Sequence, residues 1–260
     1  MINLMPMAGE GKRFKDQGYK IPKPLILVSG KPMVIKAAES LPEADKWIFI
    51  CRQEHISDYE IDKALKKYYV DALVVAVDKL TEGQASTCLL TKDSINNDEE
   101  LLIGACDNGM VWNKEEFDKF KKETDCLVWT FRNNVAVKNK PQAYGWVVVD
   151  DNNNILKTSV KAPISDNPMN DHAIVGTFWF KKGSMFVGAV ENMINKNDRI
   201  NNEFYVDQCI NYVVGAGYKA KVFEIDKYIC WGTPDELKKF EYWENFFKKH
   251  DNNLEKKKHD

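Results

Sequence analysis

The first 105 residues alternate between short apolar runs and segments with helical spacing, and this pattern constrains the fold more than any other feature of the chain. The apolar runs are compact, as expected for strands buried on both faces. Such strands are predicted at 2–7, 46–51, 72–77 and 101–105. Helices are predicted between them at 32–41, 57–69 and 84–95. Strands that alternate with helices form a parallel sheet with covering helices. We therefore predict an α/β protein with a Rossmann-like, mostly parallel sheet.

The second half of the chain has a different pattern, with longer runs that favour a sheet of mixed strand direction. Strands are predicted at 126–131, 145–149, 155–160, 173–180 and 219–224. The Asp- and Asn-rich segment 150–154 is typical of a hairpin turn between two of them. Helices are predicted at 184–195, at 204–214 and from Pro234 to about residue 249, with Thr233 as the N-cap of the last. A polar tail is expected at 251–260.

The charge balance and hydropathy exclude several classes of protein. The 37 basic and 39 acidic residues balance closely, so no overall field attracts nucleic acid. No apolar run reaches the roughly 18 residues that a membrane span needs. The first residues lack the basic region and the long apolar segment of a signal peptide. We expect a cytoplasmic protein that binds neither nucleic acid nor membranes.

A glycine-rich segment at 7–13 follows the first predicted strand. Gly9 and Gly11 allow the backbone to approach a polyanion and to direct N–H groups at it. Lys12 and Arg13 add positive charge, and the Arg guanidinium matches phosphate oxygens. The segment is not a Walker A loop, and it lacks the third glycine of a dinucleotide fingerprint. Taken alone, it also fits an ordinary surface turn.

Lys23 lies between Pro22 and Pro24 shortly after this segment. The two prolines restrict the backbone on either side of the lysine. A stiff loop of this kind can hold one ammonium group where charge develops on a phosphorus atom, although a lone Pro-Lys-Pro is more often a surface turn.

Taken together, these stretches resemble the nucleotidyltransferase family that makes nucleotide-activated sugars and related compounds. That family opens with an apolar strand, a G-x-G-x-R loop and a P-K-P loop. Further matches follow in order at 81–87, 106–108, 173–177, 202–205 and 231–234. The resemblance implies a GT-A-like fold and transfer of a nucleoside monophosphate from a nucleoside triphosphate to a phosphorylated small molecule, with release of pyrophosphate. It also implies one domain over 1–250, with a nucleotide-binding half (1–110) and an acceptor-binding half (111–250).

The resemblance assigns roles by position in this sequence. Arg13 would steady the departing pyrophosphate, Lys23 would contact the reacting phosphates, and Asp107 would hold Mg²⁺. The residues that would surround the triphosphate are Met7, Ala8, Gly9, Glu10, Gly11 and Lys12. The base would be read around Gly83, Gln84 and Ala85, and Asn108 would contact the ribose or the metal. The acceptor would be bound by Gly145, Lys161, Gly176, Glu203 and Tyr205.

A phosphate monoester acceptor is mostly a dianion at neutral pH, because its second pKa is about 6. It is already a nucleophile, so the reaction needs positioning and charge neutralisation rather than a strong general base. The sequence accordingly offers no nucleophilic Ser, Cys or His motif.

The chain departs from the family pattern at two positions. Many sugar pyrophosphorylases have a second metal-binding Asp where this chain has Cys230, and Mg²⁺ prefers oxygen ligands. Asp226 is the nearest carboxylate, and we expect it to be the second ligand, with a solvent-facing Asp as the alternative. The family's acidic-Lys-Pro loop reads Val-Lys-Ala-Pro at 160–163, and the segment 164–172 is longer than usual.

These departures favour a non-sugar acceptor. The chain also resembles the cytidylyltransferases of capsule phosphoramidate biosynthesis, and this resemblance implies CTP and phosphoglutamine as substrates, with Lys161 and either Arg132 or Lys140 at the phosphate. A sugar-1-phosphate or phosphocholine acceptor, with CTP, UTP or dTTP, is the alternative. A silent nucleotide-binding subunit would have lost Arg13, Lys23 or Asp107, and a glycosyltransferase of related fold would carry Asp-x-Asp near 107. The sequence leaves a homo-oligomer open.

Overall fold

The computed structural model describes residues 1–256, with side chains described to residue 249. The strands of this part are β1 (Ile2–Pro6), β2 (Leu27–Val28), β3 (Lys31–Pro32), β4 (Lys46–Arg52), β5 (Leu73–Val77), β6 (Leu101–Ile103), β7 (Asn108–Val111), β8 (Cys126–Phe131), β9 (Gly145–Val149), β10 (Ile155–Val160), β11 (His172–Phe180), β12 (Ala220–Glu224) and β13 (Lys227–Cys230). The helices are α1 (Lys12–Lys15), α2 (Met33–Ala38), α3 (Gln53–Ser57), α4 (Ile61–Lys66), α5 (Gln84–Leu89), α6 (Lys92–Ile95), α7 (Lys114–Glu123), α8 (Ala136–Asn139), α9 (Gly183–Asn195), α10 (Val206–Gly215) and α11 (Pro234–Lys256). Short 3-10 turns occupy Lys23–Leu25 and Pro141–Ala143.

One nine-stranded sheet runs through the molecule. Strands β5, β4, β1 and β6 lie side by side and parallel, which confirms the predicted α/β fold with a parallel first half. The long strand β11 then pairs antiparallel with β6, β8 and β9, and β12 pairs parallel with β8. The mixed second half is therefore joined to the first through β11. The predicted division of labour between the two halves stays a prediction.

Helices cover both faces of this sheet, and neighbouring residues of a strand face opposite sides. Leu4 contributes to a core beneath α5, α9 and α10, while Met5 contributes to a second core beneath α2, α4 and α7. Both side chains are fully buried. Burial on both faces explains why the sequence of β1 is continuously apolar.

Two predicted helices are wrong in extent. Of the range 57–69, only α4 (Ile61–Lys66) and the last residue of α3 are helical, and Glu60 before α4 adopts a left-handed conformation with φ 51°. The helix predicted at 84–95 is divided into α5 and α6 at Thr91. Strand β5 lies at the edge of the sheet, so Leu73 is exposed instead of buried.

The hairpin at 150–154 is confirmed. Asp150 accepts hydrogen bonds from the backbone N–H groups of Asn152 and Asn154, at 2.9 Å each. The last helix is longer than predicted, because α11 continues to Lys256 and includes part of the expected tail. Residues 257–260 of that tail lie outside the described residues. Within the described part, no helix is both long and apolar enough to cross a bilayer.

Candidate active site

The glycine-rich segment lies at the carboxyl end of β1, where open α/β sheets bind ligands. Met7 continues the strand by donating its N–H to the carbonyl of Ile50, at 2.8 Å. Gly11 has φ 63°, and a Cβ there would lie 3.3 Å from Cβ of Lys23. Helix α1 begins next, and its buried Phe14 packs edge-on against Tyr19 at 5.1 Å. The buried ring fixes the turn, while Lys12 and Arg13 remain exposed.

Lys23 forms an ion pair with Asp107, which joins two loops far apart in sequence. The 3-10 turn that carries Lys23 is closed by a hydrogen bond from the Leu25 N–H to the Pro22 carbonyl, at 2.9 Å. Asp107 follows β6, and its carbonyl accepts the N–H of Trp231 at 2.9 Å.

The charges of this pair stabilise each other. Burial acts to lower the pKa of Lys23, but the attraction of Asp107 outweighs it, and the pKa of Lys23 is raised above its ordinary value. Burial acts to raise the pKa of Asp107, but Lys23 and, more weakly, Arg13 hold it below its ordinary value. Both groups are therefore charged at neutral pH, and the positive charge of Lys23 is available to a phosphate that displaces Asp107.

The loop before α5 is held by the backbone of the loop before α10. Gly83 has φ 114°, and a Cβ there would lie 2.6 Å from the backbone N and O of Phe204. The Phe204 N–H donates to the Glu82 carbonyl at 2.7 Å, and the Ala85 N–H donates to the Phe204 carbonyl at 3.0 Å. This close approach of two backbones requires glycine at position 83.

These loops surround one cleft of about 520 Å³, within the size range of small-molecule sites. Of the predicted site residues, those that line the cleft are Met7, Ala8, Gly9, Glu10, Gly11, Lys12, Arg13, Lys23, Gly83, Gln84, Asp107 and Glu203. The early glycine turn, the proline-flanked lysine and the carboxylate at 107 thus converge. Leu80, Thr81 and Thr87 also line the cleft and were not predicted.

Two residues predicted to bind the nucleotide have other roles, which corrects the sequence interpretation. Ala85 is fully buried, and its N–H is already bonded to Phe204. Asn108 is also buried, and its side-chain amide donates to the carbonyl of Val175 at 3.0 Å. Both residues hold the walls of the cleft together instead of facing it.

Asp226 lies at the end of the β7–β13 strand pair that is far from Asp107, so the two cannot share a metal ion. Strands β7 and β13 pair antiparallel, with Cys230 opposite Asn108 and Lys227 opposite Val111. Asp226 and Cys230 are four positions apart along an extended strand, which is roughly 13 Å at about 3.3 Å per residue. Asp226 is also exposed. The prediction of Asp226 as second metal ligand is therefore wrong.

Glu236 is a carboxylate in direct contact with Cys230. It accepts hydrogen bonds from the Cys230 thiol at 3.1 Å and from the Thr233 hydroxyl at 2.9 Å. Burial, with Asp107 and Glu236 nearby, raises the pKa of Cys230 to about 12, so its thiol is neutral. The Thr-x-x-Glu pattern at 233–236 is a capping-box signal that sequence reasoning did not use. The predicted N-cap at Thr233 is confirmed by the hydrogen bond from the Glu236 N–H to its hydroxyl, at 3.3 Å.

The donor chemistry at Asp107 fits Mg²⁺ bound together with a nucleotide. Mg²⁺ in such sites takes one or two carboxylates and completes its shell with phosphates and water. Gly232 keeps the carboxylate accessible, because a Cβ there would lie 3.0 Å from Asp107 Oδ2. No cluster of three or more potential ligand side chains occurs within the described residues.

The predicted acceptor residues lie beside the cleft instead of lining it, apart from Glu203. Lys161 has φ 59°, and its Nζ donates to the Ala143 carbonyl at 2.8 Å. That Nζ also lies 5.9 Å from the ring centroid of Tyr205. Gly176 has φ 94°, and a Cβ there would lie 3.2 Å from Cβ of Ala105, which lines the cleft.

The remaining predicted acceptor contacts are constrained by their neighbours. A Cβ on Gly145 would meet Asp207 Oδ2 at 2.0 Å, a residue that sequence reasoning missed. The Arg132 guanidinium donates two hydrogen bonds, of 3.0 and 2.6 Å, to the Glu224 carboxylate, so it is already paired within the protein. Lys140 is exposed.

Comparison with known proteins identifies the family of this chain. The family model described as Nucleotidyl transferase matches residues 4–245, nearly the whole described chain. The chain belongs to the nucleotidyl transferase family. In this nucleotidyl transferase the match includes both the glycine turn and the segment around Trp231.

Individual relatives are distant. The chain is 28% identical over 187 residues to a bifunctional protein GlmU of Methanocaldococcus jannaschii, and the match covers 70% of this chain and 40% of the relative. A second GlmU, from Caldicellulosiruptor saccharolyticus, is 21% identical over 82% of this chain and 44% of its own length. The chain thus spans less than half the length of these curated relatives.

Similar solved structures share the fold. A nucleoside-diphosphate-sugar pyrophosphorylase from Vibrio cholerae RC9 aligns with a TM-score of 0.75 at 19% identity, over 92% of this chain and 99% of that one. An inositol-1-phosphate CTP transferase from T. maritima aligns with a TM-score of 0.71 at 16% identity, over 92% and 93%.

Proposed function

We propose that this nucleotidyl transferase moves CMP from CTP onto phosphoglutamine and releases pyrophosphate, in capsule phosphoramidate biosynthesis. The observation that carries nucleotidyl transfer is the convergence of the glycine turn, Lys23 and Asp107 on one cleft. A non-catalytic subunit would have no need to keep this charged pair at the floor of a nucleotide-sized cleft.

The residues of the cleft would act by position and charge. The N–H groups of the glycine turn and the side chains of Lys12 and Arg13 would hold the triphosphate. Lys23 would leave Asp107 and place its ammonium group between the α-phosphate and the attacking acceptor oxygen, which lowers the repulsion between two anions. Mg²⁺ bound at Asp107 would supply further charge neutralisation. Gly83 and Gln84 would contact the base.

The choice of acceptor rests on the departures from the family pattern. Val160 replaces the acidic residue of the acceptor loop, and Cys230 provides a neutral thiol where a carboxylate is usual. The first change removes negative charge from the acceptor loop, and the second removes it from the position beside Asp107. Lys161 would meet the phosphate, while Glu203 and Tyr205 would meet the amino-acid part. With Arg132 engaged by Glu224, Lys140 is the second cation available for the phosphate.

A sugar-1-phosphate or phosphocholine acceptor is the second candidate, with CTP, UTP or dTTP as donor. It is supported by the similarity to a nucleoside-diphosphate-sugar pyrophosphorylase and to an inositol-1-phosphate CTP transferase.

Release of pyrophosphate from pairs of substrates tests these alternatives. CTP, UTP, GTP, ATP and dTTP are each combined with phosphoglutamine, phosphocholine and glucose-1-phosphate, with and without Mg²⁺. We expect the highest rate with CTP and phosphoglutamine, and no rate after removal of Mg²⁺ with EDTA. Rapid turnover of glucose-1-phosphate without turnover of phosphoglutamine would overturn the acceptor. No pyrophosphate from any pair would overturn nucleotidyl transfer itself.

A further inference from the structure

Asp207 is a carboxylate in the first turn of α10 that none of the roles above uses. Its Oδ2 lies against the backbone of Gly145, so that no side chain fits at that position. The hydroxyl of Thr158 donates to the Asp207 carbonyl at 2.7 Å, and the Thr158 N–H donates to Asn211 Oδ1, also at 2.7 Å. These bonds tie α10 to β10 and fix the carboxylate in place.

The charge of Asp207 is not neutralised in the protein. Among the described residues, no Lys, Arg or His nitrogen lies within 4.0 Å of its carboxylate. Burial raises the pKa of Asp207 to about 6, and the attraction of Lys161 offsets this only in part. A desolvated carboxylate without a cation costs free energy of folding. Residues that cost stability in this way are often kept for function.

A series of neighbouring residues leads from the cleft towards Asp207. Glu203 lines the cleft, and burial together with the Glu203 carboxylate raises the pKa of Tyr205 to about 12. The ring of Tyr205 lies 5.9 Å from Nζ of Lys161. Both Tyr205 and Lys161 interact electrostatically with Asp207. The carboxylate therefore belongs to the region where an acceptor would lie beside the nucleotide.

Binding of a phosphorylated acceptor would remove the one cation near Asp207. A phosphate dianion attracts the ammonium group of Lys161, whose one hydrogen bond among the described residues is to the neutral carbonyl of Ala143. The carboxylate then needs a new positive partner, and a neutral hydroxyl would leave its charge unbalanced. The face of the Tyr205 ring offers a second favourable contact for a cation.

We infer that Asp207 determines acceptor specificity by binding an ammonium group on the phosphorylated acceptor. This inference rests on the proposed function, because it takes Lys161 to bind the acceptor phosphate. It narrows the substrate class to phosphorylated molecules that carry both a phosphate and a protonated amine, and it disfavours sugar phosphates without one.

Acceptor pairs that differ only in the amine test the inference. One pair is phosphoglutamine and its analogue lacking the α-amino group. The other is 2-aminoethyl phosphate and 2-hydroxyethyl phosphate. Binding of each to the full chain with the unreactive α,β-methylene analogue of CTP is measured by calorimetry, so that the result does not depend on turnover. Asp207→Asn is the test variant. Asp198→Asn is the matched control. Asp198 lies before α10, and its carboxylate accepts hydrogen bonds from Gln208 and Tyr212 of that helix.

In at least one pair, we expect the wild type to bind the compound with the amine about 30-fold more tightly than the compound without it. In Asp207→Asn this ratio should fall below about 3, with the affinity for the CTP analogue unchanged within about twofold, and Asp198→Asn should keep the wild-type ratio. Equal binding of both members by the wild type, or an equal loss on both in Asp207→Asn, would overturn the inference. If Asp207→Asn does not fold, Asp207→Ser is measured in its place. Selective binding without any pyrophosphate in the substrate panel would instead count against the proposed function alone.

Discussion

The proposed nucleotide side and the proposed acceptor side of this molecule handle charge in opposite ways. On the nucleotide side, Lys23 and Asp107 neutralise each other before any ligand arrives. On the acceptor side, Asp207 is left without an ion-pair partner among the described residues, and Lys161 is bonded only to a carbonyl. A paired site can open to a substrate without leaving a bare charge. An unpaired site selects for a ligand that supplies the missing charge.

The two sides also differ in how they are assembled. The nucleotide side takes nine of the 21 residues that line the cleft from one continuous turn at 7–13 and one loop at 22–24. The acceptor side takes its residues from β9, β11, α10 and the end of β10, and two of these residues, Lys161 and Gly176, have a positive φ. A local turn can be recognised from sequence, whereas an arrangement that depends on the pairing of distant strands cannot.

Removal of either member of the charged pair should have the largest effect. Lys23→Ala and Asp107→Asn should each lower kcat/KM by a factor of about 100–1000, or roughly 2.7–4 kcal/mol, because each removes one preorganised electrostatic contact. The change in kcat/KM for the acceptor is measured from pyrophosphate release at saturating CTP and varied acceptor concentration. Lys31→Ala is the control, because Lys31 pairs with Glu39 on the surface. A comparable loss in that control would show that the effect is not specific to the site.

Gly83→Ala should destabilise the junction between the two sides by roughly 3 kcal/mol or more. The new Cβ would meet the backbone of Phe204 at 2.6 Å, and φ 114° is strained for alanine. Urea unfolding measures the change. Gly188→Ala, in the open middle of α9, should instead stabilise the protein by about 0.5–1 kcal/mol. Equal stability of both variants would show that the contact at Gly83 is not tight.

Asp207→Asn should stabilise the protein at pH 7.5 by roughly 1–3 kcal/mol. The folded-state pKa of about 6 lies above the ordinary value of 3.8, so the native state binds more protons between about pH 4 and 6. By linkage, the stability of the wild type falls as the pH rises through this window, and the variant escapes that loss. Urea unfolding at pH 4 and 7.5 should show a difference only at the higher pH. A variant less stable than wild type at pH 7.5 would indicate a structural carboxylate.

The smallest effects are expected at Glu236, which contacts Cys230, and at Asp226, which lies far from it. Glu236→Gln should cost about 1 kcal/mol of stability, because it weakens the bonds to Thr233 and Cys230 that begin α11. Asp226→Asn should change neither stability by more than about 0.5 kcal/mol nor the Mg²⁺ dependence of activity. A raised Mg²⁺ requirement in Asp226→Asn would contradict the distance between this residue and Asp107.

Much of the fold and of the nucleotide side was predictable from the sequence. The continuous apolar runs of β1 and β4 placed the parallel sheet, and the Asp- and Asn-rich turn at 150–154 placed the hairpin. The helices at 57–69 and 84–95 were predicted too long, because a helical spacing of apolar residues does not show where the backbone breaks, as it does at Glu60. The antiparallel pairing of β7 with β13 has no local signal in the sequence, since the two strands are separated by more than a hundred residues.

The sequence by itself determined the α/β class, the glycine turn, the stiff loop around Lys23 and the residue types that are proposed to meet a triphosphate. These features depend on local periodicity and on backbone restrictions that each residue imposes on its neighbours. Only the tertiary structure decided that Asn108 and Ala85 are wall contacts, that Asp226 is distant from Asp107, and that Asp207 is the unpaired carboxylate of the acceptor side. Those outcomes depend on strand register and on which charges burial brings together, and both are properties of the packed chain.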